Sequence, residues 1–103
     1  MIRALFQETK QEGWAGFQIE GHADFADSGE DIVCAGVSSA VMLTLNLLSD
    51  ARAEGTPEIK DNLIRYTVQK NSRATDLLIG GLCRHLQALS EEYPNNICVK
   101  SGR

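Results

Sequence analysis

At 103 residues, with 43% hydrophobic and 23% charged side chains, the chain has the composition of a soluble globular protein of one domain. Ten basic against fourteen acidic side chains leave a net charge of -4, the reverse of what a general nucleic-acid binder needs. No direct nucleic-acid binding is therefore expected, and a basic peptide or protein is the better-matched partner.

The opening MIRALFQETK has no uninterrupted apolar core and no cleavage pattern of a signal peptide. Three cysteines, at 34, 83 and 98, are too few and too scattered for a secreted disulfide scaffold, so a reducing cytoplasm is the simplest home. Residues 2–7 read as a strand, Lys10, Gln11, Glu12 and Gly13 as a polar turn, and residues 14–20 as a second strand. Phe17 and Ile19 alternate within it, which suits an antiparallel hairpin. Gly21 ends the pairing and His22 opens a loop rich in turn-forming residues: Asp24, Asp27, Ser28, Gly29 and Glu30.

The spacing of Val33, Val37, Ala40, Val41, Thr44, Leu45 and Leu48 predicts a first helix from Asp31 or Ile32 to about Ser49, with Asp31 as its N-cap. Ser38, Ser39, Thr44 and Asn46 interrupt the apolar stretch 32–48, which falls short of a membrane span, and no membrane partner is expected. A linker follows over 49–57, then a short edge strand at 58–60, a tight turn at Asp61-Asn62, and a strand over 63–69 in which Ile64, Tyr66 and Val68 alternate. Asn71 or Ser72 caps a second helix whose Leu78, Ile79, Leu82, Leu86 and Leu89 recur at helical spacing through about Glu92. Within it, Gly80-Gly81 suits close packing against the other helix or a second subunit. Pro94 stops the helix and residues 97–100 return as a strand. Seven elements in this order predict an α+β fold, a two-layer sandwich whose mostly antiparallel or mixed sheet carries both helices on one face. Strand order stays open.

Two reactive residue types stand at the ends of the acidic loop. Cys34, expected three positions inside the helix, lies where unpaired N–H groups and the helix dipole favour a thiolate. His22 supplies a base if the loop returns it to hydrogen-bonding reach. The bland alternative is a buried small hydrophobe and a loop histidine that binds nothing. Cys83 and His85 are two apart on a helix and point in different directions. No C-x-x-C element supports zinc or dithiol chemistry, and the glycines at 13, 16 and 21 make no nucleotide motif. Asp24, Asp27, Glu30 and Asp31 fit either a solvated loop or a surface that draws in Lys and Arg side chains. Phe25, apolar amid polar neighbours, fits a cover over the site or a simple anchor for the loop.

The segments G-H-A at 21–23 and G-x-D-I-V-C-A-x-V-S at 29–38 resemble the ribosomal-processing cysteine protease family, Prp. The resemblance implies a bacterial cytoplasmic endopeptidase that removes the N-terminal extension of a large-subunit ribosomal protein precursor. It places His22 and Cys34 in the catalytic pair and Asp31 and Ser38 in supporting positions, and it implies a homodimer with no metal or organic cofactor. On this reading the backbone N–H groups at the helix start, near Cys34, stabilise the oxyanion, and the acidic loop orders around substrate. Gly36 departs from the alanine common in the family. Two other functions compete: a catalytically silent ribosome-assembly or basic-peptide-binding module, and a non-proteolytic thiol enzyme acting on a small substrate.

Overall fold

The computed structural model describes residues 1–11, 13–21 and 28–102, the side chains of 28–31 excepted. Its elements are β1 (Ile2–Glu8), β2 (Trp14–Glu20), α1 (Ser28–Asp50), β3 (Gly55–Lys60), β4 (Leu63–Val68), α2 (Arg73–Glu92) and β5 (Ile97–Gly102). Among the described residues they build a sheet in the order β3-β4-β2-β1-β5. Every pairing is antiparallel except β1 with β5, so the sheet is mixed.

Alternation along the strands decides which face is covered. In β1, Ile2, Ala4 and Phe6 are buried while Arg3 and Leu5 are exposed. Register carries the same face across the sheet, since Phe6 stands opposite Phe17 and Phe17 opposite Tyr66. Their rings form a row, with centroids 5.7 Å and 5.9 Å apart, that anchors the core. Both helices pack on this face, giving the expected two-layer α+β sandwich. α2 lies against β5 and β2. The far end of α1 rests over the opposite edge, where Leu45 and Leu48 face Gly55, Pro57 and Tyr66.

Three boundaries differ from the sequence reading by two residues or more. β3 starts at Gly55 rather than 58, because Pro57 is tolerated on an edge strand whose outer side needs no donor. Gly55 serves there because a Cβ would collide with the Tyr66 ring lying across it. β5 continues past 100 to Gly102, paired throughout with β1. The largest shift is in α1, which begins at Ser28, so Asp31 is its fourth residue and not its N-cap. The acidic residues taken for a loop are also favourable in a first turn, where their charge meets the positive end of the helix dipole.

α2 follows its sequence signals closely. Ser72 is the N-cap, its hydroxyl accepting from the Thr75 N–H at 3.2 Å while Thr75 Oγ1 accepts from the Ser72 N–H at 3.0 Å. The Tyr93 N–H closes the other end on the Leu89 carbonyl at 2.9 Å, and Pro94 follows. Of the paired glycines, Gly80 makes its close approach to the sheet, while Gly81 lines a groove shared with α1. At Gly80 a Cβ would stand 3.3 Å from Trp14 Nε1 of β2.

Candidate active site

The two candidate residues are carried by the segment after β2 and by α1. β2 ends where Glu20 pairs with Leu63, and the next residue, Gly21, donates its N–H to the Asn62 carbonyl in the β3–β4 turn at 3.2 Å. Six residues separate Gly21 from Ser28 at the head of α1. A connection of that length is ordinary for a strand followed by a helix. His22, Asp24, Phe25 and Asp27 belong to that connection and lie outside the described residues. Glu30 and Asp31 sit on the first turn of α1, their backbone helical.

Cys34 is the seventh residue of α1 and 2% exposed, within the core cluster beside Val33 and Val37. The expected environment at the helix start is corrected accordingly. N–H groups without an intrahelical partner belong to the first turn, around 28–31, and an N–H at the seventh position falls within the helical ladder. Any oxyanion donors supplied by the end of α1 are therefore one turn before Cys34. Ser38, one turn after it, is half-buried, and its hydroxyl makes no hydrogen bond to a described residue.

The other two cysteines are elsewhere. Cys83 is buried on the sheet-facing side of α2, where burial and the nearby Glu8 carboxylate push its thiol pKa up, against a smaller opposing effect of Arg84. Such a thiol is held protonated and unreactive. Cys98, paired in register with Arg3, is half-buried on the solvent face of the sheet. His85 projects from α2 into a groove between the helices, away from Cys83. Among the described residues no three His, Cys, Asp or Glu side chains gather to hold a metal ion.

That groove is a feature the sequence reading missed. It runs between α1 and α2, about 460 Å³ in volume, with Gly36, Ala40, Leu43 and Leu47 on one wall and Leu77, Gly81 and His85 on the other. Leu43 is 59% exposed and Leu77 63%, and Ile32, on the same stripe of α1 as Leu43, is 65% exposed. The signal was present in the chain: residues 32–49 contain no Asp, Glu, Lys or Arg. By length and composition Ile32–Asp50 is apolar enough to cross a membrane. Here Val33, Val37, Val41, Thr44 and Leu48 are buried in the sandwich.

Comparison with known proteins converges on one family. The family model for cysteine protease Prp matches residues 1–98. The ribosomal processing cysteine protease Prp of Bacillus subtilis is 31% identical over 117 residues, covering 99% of this chain and 98% of its own. Among solved structures, the essential ribosomal processing protease Prp from S. aureus with a substrate peptide superposes at a TM-score of 0.90. It is 24% identical, with 98% of this chain and 99% of that one covered. The same S. aureus protease with a covalently linked product peptide gives 0.86 at 25% identity over the same shares. The matched region spans nearly the whole chain. The chain belongs to the Prp family of cysteine proteases.

Proposed function

We propose that this protease removes the N-terminal extension of a large-subunit ribosomal protein precursor in the cytoplasm, with Cys34 as nucleophile and His22 as its base. The observation that carries the reading is the family match over residues 1–98, which takes in both residues and the elements that hold them. The names of the relatives, ribosomal processing proteases, support the substrate class.

The chemistry is acyl transfer. His22 accepts the Cys34 proton, and the thiolate sulfur bonds to the scissile carbonyl carbon, whose π electrons move onto oxygen. Collapse of that oxyanion expels the amine, which takes the proton from His22, and leaves a thioester on Cys34. Water, deprotonated by His22, then cleaves the thioester and restores the thiol. N–H groups of the first turn of α1 are the donors nearest in sequence for the oxyanion. Asp31 orients that turn and the connection before it, and Ser38 supports Cys34 from the following turn. Because Cys34 is 2% exposed, the peptide reaches it only after displacing what covers it, which limits cleavage of bystander proteins.

Charge supports a basic substrate. Glu20 and Asp61 lie at the end of the sheet from which the connection departs, and Asp24, Asp27, Glu30 and Asp31 follow in the chain. Acidic residues this dense in the chain attract Lys and Arg side chains, and Phe25 among them in sequence is the candidate apolar contact. Two copies of the chain meet through the uncharged groove between α1 and α2. Its exposed leucines, with Ile32 and Met42, present roughly 500 Å² of apolar surface, more than half of the ~800 Å² that each partner buries in a stable dimer.

The test is incubation of purified protein with full-length ribosomal protein precursors and measurement of product masses. Wild type is expected to release one N-terminal fragment, and Cys34→Ala and His22→Ala to lose activity by 10³-fold or more, an order of magnitude typical of lost nucleophile or base. Equal binding by all three proteins without a cut would instead identify a silent assembly module.

A further inference from the structure

Tyr66 ends the aromatic row of the core with a hydroxyl group, and among the described residues nothing hydrogen-bonds to it. The ring stacks on Phe17 and the residue is 4% exposed. Burial pushes its pKa above the ordinary tyrosine value, so the hydroxyl remains a protonated donor. A buried donor without an acceptor is costly, and phenylalanine would complete the same row without that cost.

The hydroxyl end of the ring lies over Gly55, where a Cβ would collide with it. Both residues line a cavity of about 210 Å³ between the end of α1 and β3. Leu45, Leu48, Ala53 and Pro57 give it apolar walls, and Ser49, itself exposed, adds a second hydroxyl. No charged side chain among the described residues lines it. A cavity of roughly 150 Å³ holds one benzene, so a six-membered ring with one substituent fits here. Water in the cavity satisfies the hydroxyl but leaves the leucines wet, and an ion entering loses hydration without gaining a counter-charge. A neutral apolar body bearing one acceptor oxygen suits both the walls and the donor.

We propose that this cavity is a binding site for a small neutral molecule with an apolar body and one carbonyl oxygen, which accepts from the Tyr66 hydroxyl while the body packs against Leu45, Leu48 and Ala53. The site is separate from the nucleophile. Leu45 lies eleven residues beyond Cys34 on α1, about 16 Å along the helix axis. The proposal therefore goes beyond the protease reading and does not rest on it.

The experiment titrates the isotope-labelled chain with cyclohexanone and follows backbone amide NMR shifts in wild type, Tyr66→Phe and Ala53→Leu. In wild type the amides of Ser49, Ala53 and Gly55 are expected to shift saturably, with a Kd on the order of 1–10 mM for so small a probe. Tyr66→Phe keeps the ring and removes the donor, so the same amides should shift with a Kd raised roughly 3- to 10-fold. Ala53→Leu fills the cavity and should abolish saturable shifts. Wild-type protein without saturable shifts at these amides would overturn the proposal, as would a Tyr66→Phe protein that binds cyclohexanone as tightly as wild type. Undiminished binding by a folded Ala53→Leu protein would overturn it too, by placing the ketone elsewhere. Should Ala53→Leu fail to fold, the comparison of wild type with Tyr66→Phe decides alone.

Discussion

The two helices share one face of the sheet but are finished differently on their outer sides. α2 alternates a buried row, Ile79, Leu82, Cys83 and Leu86, with an exposed row that includes Arg73, Asp76 and Arg84. It is closed at its start by a capping box and at its end by the Tyr93 N–H. α1 also buries a row, Val33, Val37, Val41 and Leu48, yet over 32–49 its outer face has no charged residue and exposes Ile32, Met42, Leu43 and Leu47. On α2 the exposed large hydrophobic is Leu77 alone among the described residues, on the groove shared with α1. A helix such as α1 leaves a whole apolar stripe for another body to cover, and it is also the helix that carries Cys34.

The contrast is sharpest between two buried thiols, one on each helix. Cys83→Ala should leave precursor cleavage within about twofold of wild type, since a protonated core thiol takes no part in catalysis, whereas Cys34→Ala abolishes it. Quantitative mass spectrometry of the product measures both. A Cys83→Ala protein with severely reduced turnover and an intact fold would break the distinction.

Next come two leucines. Leu86→Ala, fully buried under α2, should lower unfolding free energy by about 2–5 kcal/mol in urea titration. Leu43→Ala, at 59% exposure on α1, should change the stability of the monomer by less than ~0.5 kcal/mol. It should nevertheless weaken self-association in sedimentation velocity. Equal monomer destabilisation by both would show that α1 is finished like α2.

A smaller loss, about 1 kcal/mol in the same titration, is expected from Ser72→Ala, which removes half of the capping box of α2. The smallest effect lies outside both helices. Glu58 on β3 pairs with Lys60 and Arg65 at 3.0 Å each. Its pKa is lowered chiefly by the hydrogen bond and charge of Lys60, and by Arg65. A carboxyl with a depressed folded-state pKa adds stability above its unfolded pKa and loses it as pH falls through the folded one. Glu58→Gln should therefore shift the melting temperature slightly at pH 7, and the difference from wild type should vanish toward pH 3. A difference that persisted at pH 3 would rule out the ion pairs as its cause.

Strand alternation and helical spacing made most of the fold legible, because burial on one face imposes both periods directly. β2 begins and ends where alternation and Gly21 place it, and Ser72, Glu92 and Pro94 mark α2. What composition hid was the head of α1. Ser28, Gly29, Glu30 and Asp31 carry the same residue types in a loop as in a first helical turn, so nothing local separates the two. The parallel seat of β5 beside β1 was equally hidden, since pairing partners depend on the whole sheet and not on the strand's own residues. Of the site, the residue types and their order came from the chain, and the motif resemblance turned them into a pair with assigned roles. The depth of Cys34 and the bracing of Gly21 depend on segments far away in sequence, β1 and the β3–β4 turn among them.

The sheet's two margins also differ, and Pro57 is the cause. A proline in the middle of β3 withdraws one donor from the outward side of that strand and fills the space with a ring, which interrupts any ladder another chain would build along it. β5 at the opposite margin has no proline, and among the described residues nothing pairs with its outer side. Fibril growth needs two sticky margins per molecule, one to join and one to be joined. A molecule with a single sticky margin terminates any strand-on-strand stack at two, which protects a protease that works on extended peptides from polymerising with itself.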